Sequence, residues 1–162
     1  MSWRNWFRRT PPATRIAPLE SRHAARLSAI HASAFARPWT ADDFEQFLSE
    51  RPIRADGLFL DRAAQPSGFV LSRQVTDEAE ILSVAVAREA RGHGHARALL
   101  ASHLQALAHA GVRIVHLEVE NGNEAALALY HRLGFRKVGQ REGYYVRPDG
   151  SRASALSMSL AL

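Results

Sequence analysis

Residues 80–100 read Glu80-Ile-Leu-Ser-Val-Ala-Val-Ala-Arg-Glu-Ala-Arg-Gly-His-Gly-His-Ala-Arg-Ala-Leu-Leu100, and the fold turns on them. The apolar run Ile81 to Val86 predicts a buried strand. Arg91-Gly92-His93-Gly94-His95-Ala96 follows as a glycine-bearing turn. Beyond it, Ala96, Leu99, Leu100, His103, Leu104 and Leu107 fall near one face of a helix. A strand, a glycine turn and a helix N-terminus together suit a phosphate. Glycine lets the backbone approach closely, and the first helical turn leaves N–H groups unpaired at the positive end of the dipole. The spacing is Arg-x-x-Gly-x-Ala, which is neither a P-loop nor a dinucleotide fingerprint. An ordinary strand-to-helix turn carrying two glycines is the alternative.

Outward from this stretch, the chain alternates short strands and helices. Arg15 to Leu19 reads as a strand and Glu20 to Phe35 as a helix. Thr40 and Asp43 form a capping-box-like start for a second helix through Phe44, Phe47 and Leu48. Leu58–Leu60 and Gly68–Leu71 read as strands joined around Gln65-Pro66-Ser67. Gly111 stands where the long helix should end, before a strand from Val112 to Val119. A short helix is expected over Glu124–Leu133, and two late strands over Phe135–Gln140 and Arg152–Leu160. Tyr144-Tyr145 and the turn Pro148-Asp149-Gly150 fall between those strands. The resulting order, β-α-α-β-β-β-α-β-α-β-β, argues an α+β fold with a mixed sheet.

The 162 residues suit one domain, and 46% hydrophobic content suits a folded core. No apolar run approaches the roughly 20 residues of a membrane span, and no signal-peptide core begins the chain. The absence of cysteine excludes disulfides, thiolate metal sites and a cysteine nucleophile. The eight histidines lack the spacing of a zinc site, so no metal is expected. The net charge of +5 comes from one end. Residues 1–15 carry Arg4, Arg8, Arg9 and Arg15 without an acid, while the remainder holds 17 basic and 16 acidic residues. Residues 1–13 therefore read as a basic arm, with Trp3, Trp6 and Phe7 interleaved, and residues 14–162 as the domain. Such an arm suits a weak RNA or ribosome contact; a solvated terminus is the plainer reading.

His116-Leu-Glu118-Val-Glu120 alternates, which puts His116, Glu118 and Glu120 on one strand face. Tyr130 ends the following short helix. Glu118 suits a general base that keeps an attacking amine neutral, directly or through a water, and Tyr130 suits an acid for a departing thiolate. A backbone N–H near Val84 to Val86 suits an oxyanion donor. As residues alone, Glu118 also fits a solvated surface group and Tyr130 an anchored aromatic.

Taken together these features resemble the GNAT acetyltransferases, and within them the RimI-like members, over about residues 16–160. The carriers are His31 to Trp39 (a His, Ala-Phe, then Pro-Trp), Ser83-Val-Ala-Val86, Arg91 to Ala96, and Leu117-Glu-Val119. With them go Asn123, Ala125-Ala126, Leu129-Tyr130, Leu133-Gly-Phe135, Tyr144-Tyr145 and Asp149-Gly150. The resemblance implies a GNAT-like fold with a mixed sheet of about six to seven strands and about four helices. It implies acetyl-CoA as co-substrate and a peptide or protein N-terminus as acceptor, the N-terminal alanine of small-subunit ribosomal protein eighteen for the RimI type. It makes Glu118 the proton acceptor and Tyr130 the proton donor. It assigns Val84, Ala85 and Val86 to the pantetheine arm, and Arg91, Gly92, His93, Gly94, His95, Ala96 and Arg97 to the pyrophosphate. Asn123 would contact the cofactor, and Phe35, Trp39 and Tyr144 the peptide. Other amines, such as a lysine or a small molecule, and a non-catalytic RNA- or partner-binding module stand as alternatives. A cytoplasmic monomer or weak dimer is expected. The chain departs from the family pattern at Arg152-Ala-Ser-Ala155, where an acidic pair is usual, and at His93 and His95 in the loop.

Overall fold

Seven strands form one sheet in the order β1-β2-β3-β4-β5-β7-β6 in a computed structural model that describes residues 13–162. Apart from Ala13, the basic arm and its expected nucleic-acid contact lie outside the described residues. The strands are β1 (Thr14–Pro18), β2 (Ile53–Leu60), β3 (Gly68–Val75), β4 (Glu78–Val86), β5 (Ile114–Glu120), β6 (Arg136–Val146) and β7 (Arg152–Ala161). The helices are α1 (Ala24–Ala32), α2 (Ala41–Ser49), α3 (His95–His109) and α4 (Glu124–Arg132). The element order is the one expected from the sequence.

Some bounds differ. The first helix begins as a single 3-10 turn, Ser21–His23, and its α-helical part ends at Ala32, short of Phe35. The penultimate strand runs on to Val146, so Tyr144 and Tyr145 lie within β6 and not between the two late strands. Thr40 and Asp43 do cap α2 reciprocally, because the Asp43 carboxylate reaches back to the Thr40 N–H at 2.7 Å.

Two apolar clusters fill opposite faces of the sheet. Leu27, Ile30 and Phe44 of α1 and α2 pack with Ala55, Phe59, Phe69 and Leu71 on one face. Leu99, Leu100, Leu104 and Leu107 of α3 pack with Leu58, Val70, Leu117, Val119, Tyr130 and Met158 on the other. The α3 face also buries a polar relay. His103 Nδ1 lies 2.6 Å from the Asp56 carboxylate, and its Nε2 lies 2.8 Å from Ser72 Oγ.

Two irregularities shape the centre. Leu71 pairs with Ser83 but Ser72 pairs with Ile81, so Leu82 is an extra residue in β4. A one-residue bulge inverts the faces of the residues beyond it. Ala79 and Ile81 join the α3 cluster before it, and Val84 does so after it, while Ala85 joins the α1–α2 cluster. The second irregularity is a fork. β4 and β5 are parallel neighbours only from Glu78 and Ile114 to Ile81 and Leu117. Beyond that point β4 stays paired with β3, and β5 with β7, but not with each other.

Candidate active site

The fork is the natural slot of the fold. From Leu82 to Val86 and from Glu118 to Glu120, facing strand edges carry no pairing to one another among the described residues. Backbone N–H and C=O groups there are available to an extended ligand, as at any unpaired strand edge.

At the open end of β4 the chain makes a short turn, Arg88–Ala90, and enters the glycine loop. Gly94 takes φ 75° as the N-cap of α3 and supplies no side-chain cap. The first turn of α3 contains no acid, so its unpaired N–H groups keep their positive field. A cleft of about 560 Å³ opens here. Val86, Arg91, Gly94, His95, Ala96 and Arg97 form one wall, and Ala125, Ala126, Leu129 and Arg132 of α4 form the other. The lining carries three arginines and no carboxylate, and small alanines on α4 leave the slot open. This donor set fits a coenzyme with a pyrophosphate and a narrow apolar arm.

Several of the expected ligands also serve the fold itself or lie outside the cleft lining. Arg91 lines the cleft but is also tied to the protein: its Nε donates to the Val86 carbonyl at 2.9 Å and its Nη2 to Ser33 Oγ at 3.3 Å. Asn123 caps α4, its carboxamide oxygen accepting the Ala126 N–H at 3.2 Å. Val84 and Ala85 lie along the fork, outside the cleft lining, and His93 is likewise outside it, 5.7 Å from the ring of His95. Arg132 joins the lining without being expected there, although Ala125, Leu129 and Arg132 recur at helical spacing toward one face.

Glu118 is half-buried on the β5 face opposite to Leu117 and Val119. Tyr130 is 7% exposed in the cluster that holds Leu117 and Val119. Tyr130 thus packs on the sheet face opposite to the one that carries Glu118. Burial, with Tyr145 adding to it, pushes the Tyr130 hydroxyl up to about 12, so it is a proton-bearing group at neutral pH. Glu118 Oε1 lies 3.2 Å from Arg141 Nη2, and Glu120 Oε1 accepts from Arg147 Nε at 2.8 Å. Tyr145 sits among these groups. Its hydroxyl is raised first by burial and then by Glu118, Tyr144 and Glu120, with Arg141 opposing.

The aromatics expected to meet the peptide differ in exposure. Phe35 and Tyr144 are 41% and 51% exposed. Trp39 is less open: it stacks on His31 at 4.8 Å and packs on Phe44 and Phe47. Arg141 and Arg147 carry no signal in the sequence: a register shift follows Arg141 in β6, and Arg147 lies in the turn beyond that strand. No group of three or more His, Asp or Glu side chains that could hold a metal occurs among the described residues. No helix among them is long and apolar enough to cross a membrane.

A parallel strand pair that splits beside a cationic, carboxylate-free cleft defines the class of enzymes that move an acetyl group from coenzyme A to an amine. The model of the Acetyltransferase (GNAT) family matches residues 24–135, and the chain belongs to that family. It is an acetyl-CoA-dependent N-acetyltransferase. The chain is 33% identical over 147 residues to the [ribosomal protein bS18]-alanine N-acetyltransferase of Escherichia coli (strain K12), covering 91% of this chain and 97% of that one. It is 31% identical to the Haemophilus influenzae enzyme of the same name, covering 91% and 98%. The crystal structure of the Escherichia coli ribosomal-protein-S18-alanine N-acetyltransferase superposes with a TM-score of 0.85 at 31% identity, over 92% of this chain and 94% of that one. The fold is shared with Arabidopsis thaliana NAA60 in complex with acetyl-CoA, with a TM-score of 0.82 at 20% identity over 93% and 99%.

Proposed function

We propose that this enzyme acetylates the N-terminal α-amine of a protein, with Glu118 as proton acceptor and Tyr130 as proton donor, and that the N-terminal alanine of ribosomal protein bS18 is its acceptor. The observations that support the chemistry are a half-buried carboxylate where β5 parts from β4 and a buried, protonated phenol packed on the other face of the sheet. The likeness to bS18-alanine acetyltransferases over nine-tenths of the chain supports the acceptor. A ribosomal acceptor puts the enzyme in the cytoplasm.

The roles follow from charge. An α-amine attacks only when neutral, and the half-buried Glu118 takes its proton. Direct transfer needs no enzyme nucleophile, in keeping with a chain that lacks cysteine. Tyr130 gives its proton to the departing thiolate, and its own loss of a proton to solvent is opposed by burial. The free backbone of Leu82–Val86 orients the coenzyme's arm, and the α3 N-terminus with Arg97 and Arg132 faces its phosphates. Acetyl-CoA supplies the thioester.

The test is intact-mass acetylation of a synthetic peptide carrying the N-terminus of the organism's own bS18, using wild type, Glu118→Gln and Tyr130→Phe. The expected result is gain of one acetyl group with wild type, and a fall of about 100-fold or more with each variant. Acetyl-CoA binding without transfer to this peptide discards the bS18 acceptor. Rates within a few-fold of wild type discard the roles of Glu118 and Tyr130.

A further inference from the structure

β7 lies between β5 and β6 in the sheet, so no β6 side chain is a lateral neighbour of β5. Two arginines of the β6–β7 hairpin nonetheless reach the β5 carboxylates: Arg141 meets Glu118 at 3.2 Å, and Arg147 meets Glu120 at 2.8 Å. Both cross β7. The residues that Arg141 crosses are short. Ala155 is in register with Arg141 on one side and Glu120 on the other, and Ser157 is opposite Glu118. Ala153 and Ala155 are buried. The departure at Arg152–Ala155 thus has a physical account. A carboxylate on β7 here would capture a guanidinium before it reached β5; with alanine there, the arginine stem lies across the strand and its head reaches Glu118.

Arg141 also has a second seat. Its guanidinium carbon is 5.1 Å from the centre of the Tyr144 ring. The bulged segment from Arg141 to Tyr145, with Gly143 at φ 59°, aims the two side chains at one another.

We infer that Arg141 occupies, in the free enzyme, the place at Glu118 that the acceptor's ammonium takes on binding, so that binding exchanges one cation for another. The inference rests on Glu118 being the proton acceptor. Glu118 is never left without a counter-charge: the incoming ammonium displaces Arg141, which stays on Tyr144. The acylated product is a neutral amide and does not hold Glu118 against Arg141, so the return of the guanidinium helps expel product. The acceptor class this selects is a cationic amine with a clear approach past Tyr144; an N-terminus already acylated does not displace the guanidinium.

The test compares wild type, Arg141→Gln and Arg141→Lys by peptide KM, acetyl-CoA KM and inhibition by acetylated peptide. Removing an exposed competitor of this kind lowers the peptide KM by about two- to fivefold. Acetyl-CoA KM stays at its wild-type value, inhibition by acetylated peptide grows stronger, and Arg141→Lys behaves as wild type. An unchanged or raised peptide KM in Arg141→Gln overturns the inference and makes Arg141 a mere support for Glu118. If wild type acetylates no peptide at all, the proposed acceptor falls, and the inference is read by calorimetry with alaninamide as the cation on the CoA complex. Tighter binding to Arg141→Gln than to wild type supports it; equal or weaker binding overturns it.

Discussion

The Nδ1 atom of His31 accepts the backbone N–H of Trp39 at 3.1 Å, and the two rings lie nearly parallel with centroids 4.8 Å apart. Phe35 stacks on the same imidazole at 4.2 Å. One buried histidine thus fastens the segment between α1 and α2 that carries the expected peptide-contacting aromatics, and it does so as a neutral acceptor.

Burial holds the His31 imidazole down at about 4 in the fold, against an ordinary value of 6.5. Above pH 6.5 neither folded nor unfolded chain protonates it, and its contribution to stability is complete. As pH falls from 6.5 to about 4, the unfolded chain takes up a proton that the fold refuses, and stability is lost. Urea midpoints of wild type should fall over that interval more steeply than those of His31→Gln. Parallel curves would show that His31 does not titrate differently in the two states.

The relay Asp56–His103–Ser72 has the atom order of a hydrolase triad but is sealed, with His103 and Ser72 fully buried. Burial alone raises the Asp56 carboxyl, but the hydrogen bonds and charges of His103 and Arg54 outweigh it and hold Asp56 below its ordinary value. His103→Leu strips α3 of its polar tie to β2 and β3 and leaves Asp56 one partner short. We expect a loss of about 3–5 kcal/mol in urea unfolding, the scale for breaking a buried pair from one side. A loss under about 1 kcal/mol would mean that apolar packing alone seats α3.

With its hydroxyl pushed up to about 12, Tyr130 keeps its proton throughout the working range. The pH profile of kcat/KM should therefore show no descending limb from this group up to about pH 10. Tyr130→Phe should lower the plateau without introducing a new limb. A descending limb near pH 8 to 9 in wild type that vanishes in Tyr130→Phe would contradict the environment described for this phenol.

Gly94 sits at φ 75°, and a Cβ added there would meet no atom within 4 Å. The cost of Gly94→Ala is then conformational rather than steric, about 1–2 kcal/mol for a left-handed residue. Because Gly94 begins α3, relief of that strain moves the N–H groups that line the cleft. Acetyl-CoA KM should rise several-fold while peptide KM stays near wild type. Equal changes in both would show that the loop also shapes the acceptor site.

Much of this molecule is written in short stretches. The capping pair Thr40 and Asp43, the apolar stripe from Leu99 to Leu107, the alternation around Glu118 and the glycine at the start of α3 are all readable, because each depends on residues within one or two turns of itself. For Arg91 and Asn123 the sequence indicates the neighbourhood, and the structure adds the protein partners that each one has there, since a long or capping side chain can also turn back to its own backbone.

By itself, then, the sequence determined the elements, their order, the family and the residue types at the fork. Only the tertiary structure decided how distant segments meet. It placed β7 between β5 and β6, inserted Leu82 as a bulge that reverses the faces of β4, and drew Asp56 to His103 across 47 residues of chain. It also carried Arg141 over Ala155 to Glu118. The physical reason is the range of the forces involved. Helix periods, caps and turns are set by local sterics and hydrogen bonds. Strand order and register come from burying both faces of the whole sheet at once, a sum over the chain that no single stretch contains.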